Sequence, residues 1–280
     1  MRTNIDFITE SGKINFSVMS KFVCSTCKGI NEGIVNRRKI NYIDTDGAEY
    51  VDDLYDERTI TLEGYITAAS DTELERARCD LTRICNGKNR GKFVWSGKTK
   101  RYFTDAIGEL PEFGDRVGNV LPFVCTFIAY DFYWKDDKIT SAAIASFEDH
   151  IKSTFTFPLV FTTKKSKADI LNNGDIEADV LITISCKETS GTDGVLKIYN
   201  HTTGKQMILN HNIVAGEVIK IDTKNCDITT TGSSNLLSKM DPSSEFFKLA
   251  LGLNTLEVVN TNSNCVYSCV CEHYNTYVGV

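Results

Sequence analysis

Nowhere in this 280-residue chain does an uninterrupted apolar run approach the roughly 20 residues that span a bilayer. The amino terminus, MRTNIDFITESGKINF, lacks the apolar core of a signal peptide. Both absences lead us to expect a soluble protein made in the cytosol. An excess of positive charge is missing too. The 31 Lys and Arg residues stand against 37 Asp and Glu, a formal net charge of -6. That balance argues against a protein that grasps nucleic-acid phosphates.

Catalytic signatures are also missing. The four histidines, His150, His201, His211 and His273, make no HxxxH or HExxH pair, and none neighbours a GxSxG nucleophile motif. Each reads as a surface or loop residue. Neither a GxxxxGK[ST] phosphate loop nor a GxGxxG between strand and helix is present. The residues therefore nominate no catalytic group, no cofactor and no metal. Cys24-Ser-Thr-Cys27 has zinc-like spacing, but Cys265, Cys269 and Cys271 lack the spacing of a zinc knuckle and fall on one face of a strand, where a core strip is expected. DTDGAEYVDDLYDE, from Asp44 to Glu57, has the composition of a calcium loop without its order, and reads as a solvated extension.

Against these absences stand 41% hydrophobic residues and ten cysteines. The length suits two domains. Most cysteines lie singly in apolar runs, as Cys125 does in PFVCTF and Cys186 in ITISC, and read as small buried hydrophobes. The dominant period is two. In RTITLEGYI, Ile60, Leu62 and Ile66 share one face while Thr59, Thr61 and Glu63 take the other. DVLITISC, VLKIYN, QMILN, EVIKID and NTLEVV repeat the pattern at spacings of about 8–12 residues, as in a sandwich or barrel.

One segment departs from that period. In SDTELERARCDLTRICNG, Ser70 and Glu73 form a capping box, Leu74, Ala77, Leu81 and Ile84 make one stripe, and Gly87 stands at the stop, so a helix is expected over about 70–86. KNRGKFVWSGKTKR interleaves Lys88, Arg90, Lys92, Lys98, Lys100 and Arg101 with Phe93 and Trp95. It reads as a half-buried hairpin with basic turns. VLPFVCTFIAY, apolar on both faces, is expected between layers. The octet FIAYDFYW then places Phe132, Tyr133 and Trp134 at a seam, where we expect them to fill the gap between modules. The organisation expected is a first domain over 1–134, a linker over 135–150 and a second domain over 151–280.

RTITLEGYI, then the helix with LTRIC, then PEFGDRVGNVLPFVCTFIAYDFYW, in that order, resemble the amino-terminal domain of the distal tail proteins of long-tailed, siphovirus-type bacteriophages. NNGDIEADVLITIS, LKIYNHTTGKQMILNHNIVAGEVIKIDTKN and SSEFFKLALGLNTLEV resemble that family's carboxy-terminal domain. Two prolines usual in the family are absent here, from Asp131-Phe132-Tyr133-Trp134 and from Leu251-Gly252-Leu253-Asn254. The resemblance implies a mainly β protein, with a tube-like sandwich or split barrel bearing one helix, followed by a galectin-like β-sandwich. It also implies a non-enzymatic virion part: a hexameric ring of copies at the tail tip, assembled in the bacterial cytoplasm. Such a ring joins the tail tube protein to the tail-tip hub, carries receptor-binding or baseplate proteins, touches no membrane and passes DNA only as cargo.

We expect ring or partner contacts at the arm between Lys39 and Asp56, with Tyr42, Tyr50 and Tyr55, and at the hairpin around Trp95. Two other functions fit less of the chain. A carbohydrate-binding adhesin would use a ring with polar neighbours, for which Tyr199, Asn200 and His201 offer a version at a hairpin turn. A cell-wall hydrolase would need a carboxylate pair that nothing in the sequence nominates.

Overall fold

The computed structural model describes residues 4–44, 46–97, 100–145, 166–191, 193–231 and 234–280. His150, Lys98 and the end of the expected linker lie outside them. The chain divides into two units. The first comprises Met1–Asp137 and Tyr277–Val280, and the second comprises Lys138–Thr276.

In the first unit the period of two becomes β1 (Asn4–Thr9), β2 (Gly12–Ser17), β3 (Phe22–Lys28), β4 (Val35–Ile40), β5 (Glu49–Tyr55) and β6 (Arg58–Thr67). After helix α1 (Asp71–Ile84) come β7 (Arg90–Ser96), β8 (Arg101–Gly108), β9 (Glu112–Phe113), β10 (Val120–Ala129) and β11 (Trp134–Asp136). Hydrogen bonding runs β8-β7-β1-β2-β3-β6-β10, and β10 pairs back onto β8 through Phe127↔Gly108 and Ile128↔Ile107. The circuit closes a seven-stranded barrel. Its interior is filled. Phe7, Phe16, Phe93 and Phe127 are fully buried, and Phe127 meets Phe7 and Phe93 at ring-centroid distances of 4.8 and 5.0 Å.

β10 departs from the expected two-sided burial. Phe123, Cys125 and Phe127 point inward, while Val124, Thr126 and Ile128 are only half-buried. A barrel wall has one interior face, and an antiparallel strand tolerates solvent on the other. The helix matches its expected stripe: Leu74, Ala77, Leu81 and Ile84 are its buried residues. The Ser70 side chain accepts from the Glu73 backbone N–H at 3.3 Å, and the Glu73 carboxylate accepts from the Ala69 N–H at 3.0 Å. The first bond satisfies an orphan donor of the opening turn, and the second ties the residue before the cap to that turn.

The second unit holds β12 (Thr140–Ala145), β13 (Lys167–Asn172), β14 (Val180–Glu188), β15 (Leu196–Asn200), β16 (Lys205–Leu209), β17 (Val218–Asp222), β18 (Asp227–Thr230) and β19 (Ser234–Asn235). β20 (Gly252–Asn260) and β21 (Val266–His273) follow, and β22 (Thr276–Tyr277) crosses into the first unit. Sheets ordered β12-β21-β14-β17-β18-β19 and β13-β20-β15-β16 share one apolar core. Ile182, Ile184, Cys269 and Cys271 enter it from one sheet, and Ile198, Met207, Leu256 and Val258 from the other. This is a two-sheet sandwich.

The expected 135–150 linker is corrected by these elements. Residues 134–136 pair with β8, and 140–145 pair with β21, so the crossing between units occupies only the residues between β11 and β12. Small residues hid β12: Ser141, Ala142 and Ala143 carry little hydrophobic contrast, and the ladder with β21 is what makes them a strand. His273 is corrected as well. It ends β21 at 3% exposure instead of lying on the surface.

Two measurements follow from this packing. Replacing the fully buried Leu81 by Ala should lower first-unit stability by about 2–5 kcal/mol in urea denaturation. Burial holds the His273 pKa below its ordinary 6.5. As pH falls through 6.5 the unfolded chain therefore binds protons before the folded chain does, and stability is lost. Urea midpoints for the second unit should fall between pH 7.5 and 5.5, and His273→Gln should fall less. Hydrogen bonds hold Glu217 and Glu257 below 4.5 against the opposing effect of burial, so their contribution is lost only in more acid solution.

Candidate assembly interface

β4 and β5 form a sheet of their own, separate from the barrel ladder. Opposite charges face each other across it: Arg37 lies 3.9 Å from Asp53, and Arg38 lies 3.7 Å from Asp52. Such exposed pairs hold register weakly. The arm also presents large apolar side chains to solvent. Ile34 is 65% exposed, Ile43 92%, Tyr50 65% and Tyr42 56%, and Val51, Leu54 and Tyr55 are exposed as well. The Tyr42 hydroxyl donates to the Glu49 carboxylate, which raises the phenol pKa above its ordinary value. An isolated two-stranded hairpin is marginal in water, so its stability must come from its root or from a surface laid against it.

The root is built around Arg58. This side chain is 1% exposed. Its Nε donates to the Phe132 carbonyl at 2.9 Å, and its Nη1 donates to the carbonyls of Gly29, Ile30 and Glu32 at 3.1, 2.7 and 2.9 Å. Its Nη2 donates to the Val278 carbonyl at 2.7 Å. Burial lowers its pKa to about 10, which leaves it charged at neutral pH.

Rings close over this cation. Phe132 lies 4.1 Å from the guanidinium carbon, Tyr55 stacks on Phe132 at 4.2 Å and 10°, and Tyr133 meets Tyr55 edge-on at 6.0 Å. The Trp134 indole donates to the Ile30 carbonyl at 3.0 Å. Gly33 is required beneath this stack, because a Cβ there would sit 2.3 Å from the Phe132 ring. Gly29, at φ +85, would place a Cβ 2.0 Å from the Thr59 carbonyl oxygen.

Phe132, Tyr133 and Trp134 find the ring partners just described inside the first unit, and Trp134 belongs to its core. Tyr42, Tyr50 and Tyr55 fall on the arm, with Tyr55 at its root. Trp95 lies instead in the barrel wall, half-buried, in register with Ile5 and Tyr102. Arg58 was not singled out by sequence reasoning. Its signal was phase: it shares the inward alternation of Ile60 and Leu62, and a cation there needs buried acceptors.

Two basic residues of the hairpin, Lys100 and Arg101, are paired with carboxylates. Beside it a cleft of about 420 Å³ is lined by Asn4, Asp6, Lys13, Ser96, Gly97, Lys100 and Arg101. Asp6, 4% exposed, lies 3.0 Å from Lys13 and 3.3 Å from Arg101. Arg101 also reaches Asp137 at 3.6 Å, and Lys100 reaches Asp136 at 4.0 Å. Among the described residues no group of three His, Cys, Asp or Glu side chains comes together.

In the second unit Asn200 is 1% exposed, and its Oδ1 accepts from the N–H groups of Thr202 and Thr203 at 3.0 and 3.2 Å. It serves the hairpin turn. Tyr199 and His201 remain on the outer side, with His201 Nε2 at 2.6 Å from the Glu257 carboxylate.

The fold of the chain has counterparts among known proteins. Residues 154–271 match the family model of the siphovirus-type tail component, C-terminal domain. That match spans most of the second unit. The whole chain has the fold of a distal tail protein. It superposes on SPP1 Dit (gp 19.1), described as a paradigm of the hub adsorption apparatus in phages infecting Gram-positive hosts, with TM-score 0.71, 11% identity and 99% of each chain covered. Chains of the phage P2 baseplate, in its activated conformation with Ca and with Sr, match at TM-scores of 0.56 and 0.55, with 12% and 11% identity and 100% of each chain covered. No curated protein sequence matches the chain.

Arg58→Met removes the guanidinium donors from all five carbonyls and leaves the Trp134 indole on that of Ile30. It should cost the first unit on the order of 3–5 kcal/mol, read as a lower urea midpoint. Faster amide exchange around residues 29–33 should accompany it, and Arg58→Lys should recover only part of the loss.

Proposed function

We propose that the chain is the distal tail ring protein of a siphovirus-type particle. In this reading six copies close into a ring, which docks on the tail tube protein on one side and the tail-tip hub on the other. Receptor-binding or baseplate proteins attach to it, and it has no catalytic role. The observation that carries the reading is the arm: an isolated two-stranded sheet with apolar and charged side chains exposed together, fixed at its root by Arg58 and Phe132. A closed ring needs a heterologous contact, in which one surface of a copy meets a different surface of the next. A projecting arm supplies one half of such a contact.

The barrel itself is filled by phenylalanine rings, so DNA passes between copies and not through one barrel. The formal charge of -6 suits a passage that must not hold phosphate, because each Lys or Arg contact to DNA adds salt-dependent affinity.

The test is light scattering coupled to size exclusion, alone and with the tube and hub proteins. The intact chain should reach the mass of a six-copy ring in at least one of these mixtures. A variant in which a short Gly-Ser link replaces residues 36–54 should stay folded. The bond from the Asp56 N–H to the Ile34 carbonyl, 3.0 Å in the intact chain, lies outside the replaced residues, and the variant should remain a monomer. A monomeric intact chain in every mixture, or full assembly by the armless variant, would overturn the reading.

A further inference from the structure

Two thiols in the second unit touch. Cys186 Sγ and Cys265 Sγ are 3.6 Å apart, with both side chains in the sandwich core at 4% and 0% exposure. The sulfurs are separated by no other group, whereas a disulfide bond is about 2.05 Å long. Cys186 lies near the end of β14, where the pairing with β21 slips register between Cys186 and Glu188. Cys265 sits on the turn that enters β21, its N–H bonded to the Asn262 carbonyl at 3.2 Å. The contact therefore falls at an irregular strand end, where local opening is easiest.

We propose that Cys186 and Cys265 form an intramolecular disulfide when the protein meets a small-molecule disulfide such as oxidised glutathione. One protein thiol loses its proton, and its thiolate attacks a sulfur of oxidised glutathione, expelling one glutathione thiolate. The second protein thiolate then attacks the protein sulfur of the mixed disulfide and expels the remaining glutathione. Two protein thiols are oxidised, and one glutathione disulfide is reduced to two thiols. Burial pushes the Cys186 pKa up to about 12, so the exchange is slow at neutral pH and quickens in mild urea. The bond staples two residues 79 positions apart and encloses β15 to β20. It restricts the unfolded chain more than the folded one.

The experiment treats the full chain, in a Cys79→Ser/Cys226→Ser background that removes the two exposed thiols, with oxidised glutathione. Free thiols are then alkylated in denaturant and the peptides mapped without reduction. A linked Cys186–Cys265 peptide and a 2 Da mass loss are expected, together with a higher urea midpoint that dithiothreitol reverses. The midpoint gain should vanish in both Cys186→Ala and Cys265→Ala. The map distinguishes this bridge from a bond made by any other cysteines of the chain. Recovery of both residues as alkylated thiols, or of either as a stable glutathione adduct, would overturn the proposal. So would a midpoint gain that persists in Cys265→Ala.

Discussion

A single buried guanidinium organises the first unit outside its barrel. Arg58 has no route to water, and five backbone carbonyls satisfy it from three stretches of chain: the loop at 29–32, the turn at Phe132 and the tail at Val278. Charge-assisted bonds of this kind are stronger than neutral ones, and an unpaired buried cation is costly. The three stretches are thereby held together, since releasing one exposes both a carbonyl and part of the charge. Phe132 completes the arrangement by lying over the cation and carrying Tyr55 at the base of the arm.

The arm depends on that arrangement because it has little cohesion of its own. Its ladder is short, its ion pairs are exposed, and its apolar residues face solvent. The barrel differs in kind. It closes its hydrogen-bond circuit, has no open edge along that circuit and buries its aromatic rings together. A rigid closed body with an anchored, unfinished projection is suited to assembly, where a second surface supplies what the projection lacks.

Several elements could be read directly from the chain. The helix is one, because Ser70, Glu73 and the stripe from Leu74 to Ile84 are local signals that agree. The hairpin of β7 and β8 and the alternation of β14 are others. Less legible were elements whose character depends on partners far away in sequence. β12, rich in alanine and serine, becomes a strand through β21 more than a hundred residues later. The partners of Phe132 and Trp134 within the first unit, Ile30, Tyr55, Arg58 and Phe93, likewise come from distant parts of the chain. The tail from Tyr277 returns to the first unit, where Tyr102 meets the Tyr277 ring edge-on at 5.3 Å.

The sequence by itself determined which segments alternate, where helix α1 begins and stops, and which residues are too apolar to face water. These follow from neighbours within a few positions, through capping, periodicity and side-chain size. Only the tertiary structure decided that Arg58 is an interior cation, that β10 and β8 close a barrel, and that Cys186 touches Cys265. Each of these depends on atoms brought together from distant parts of the chain, and burial and hydrogen-bond geometry set their chemistry only once the chain has folded.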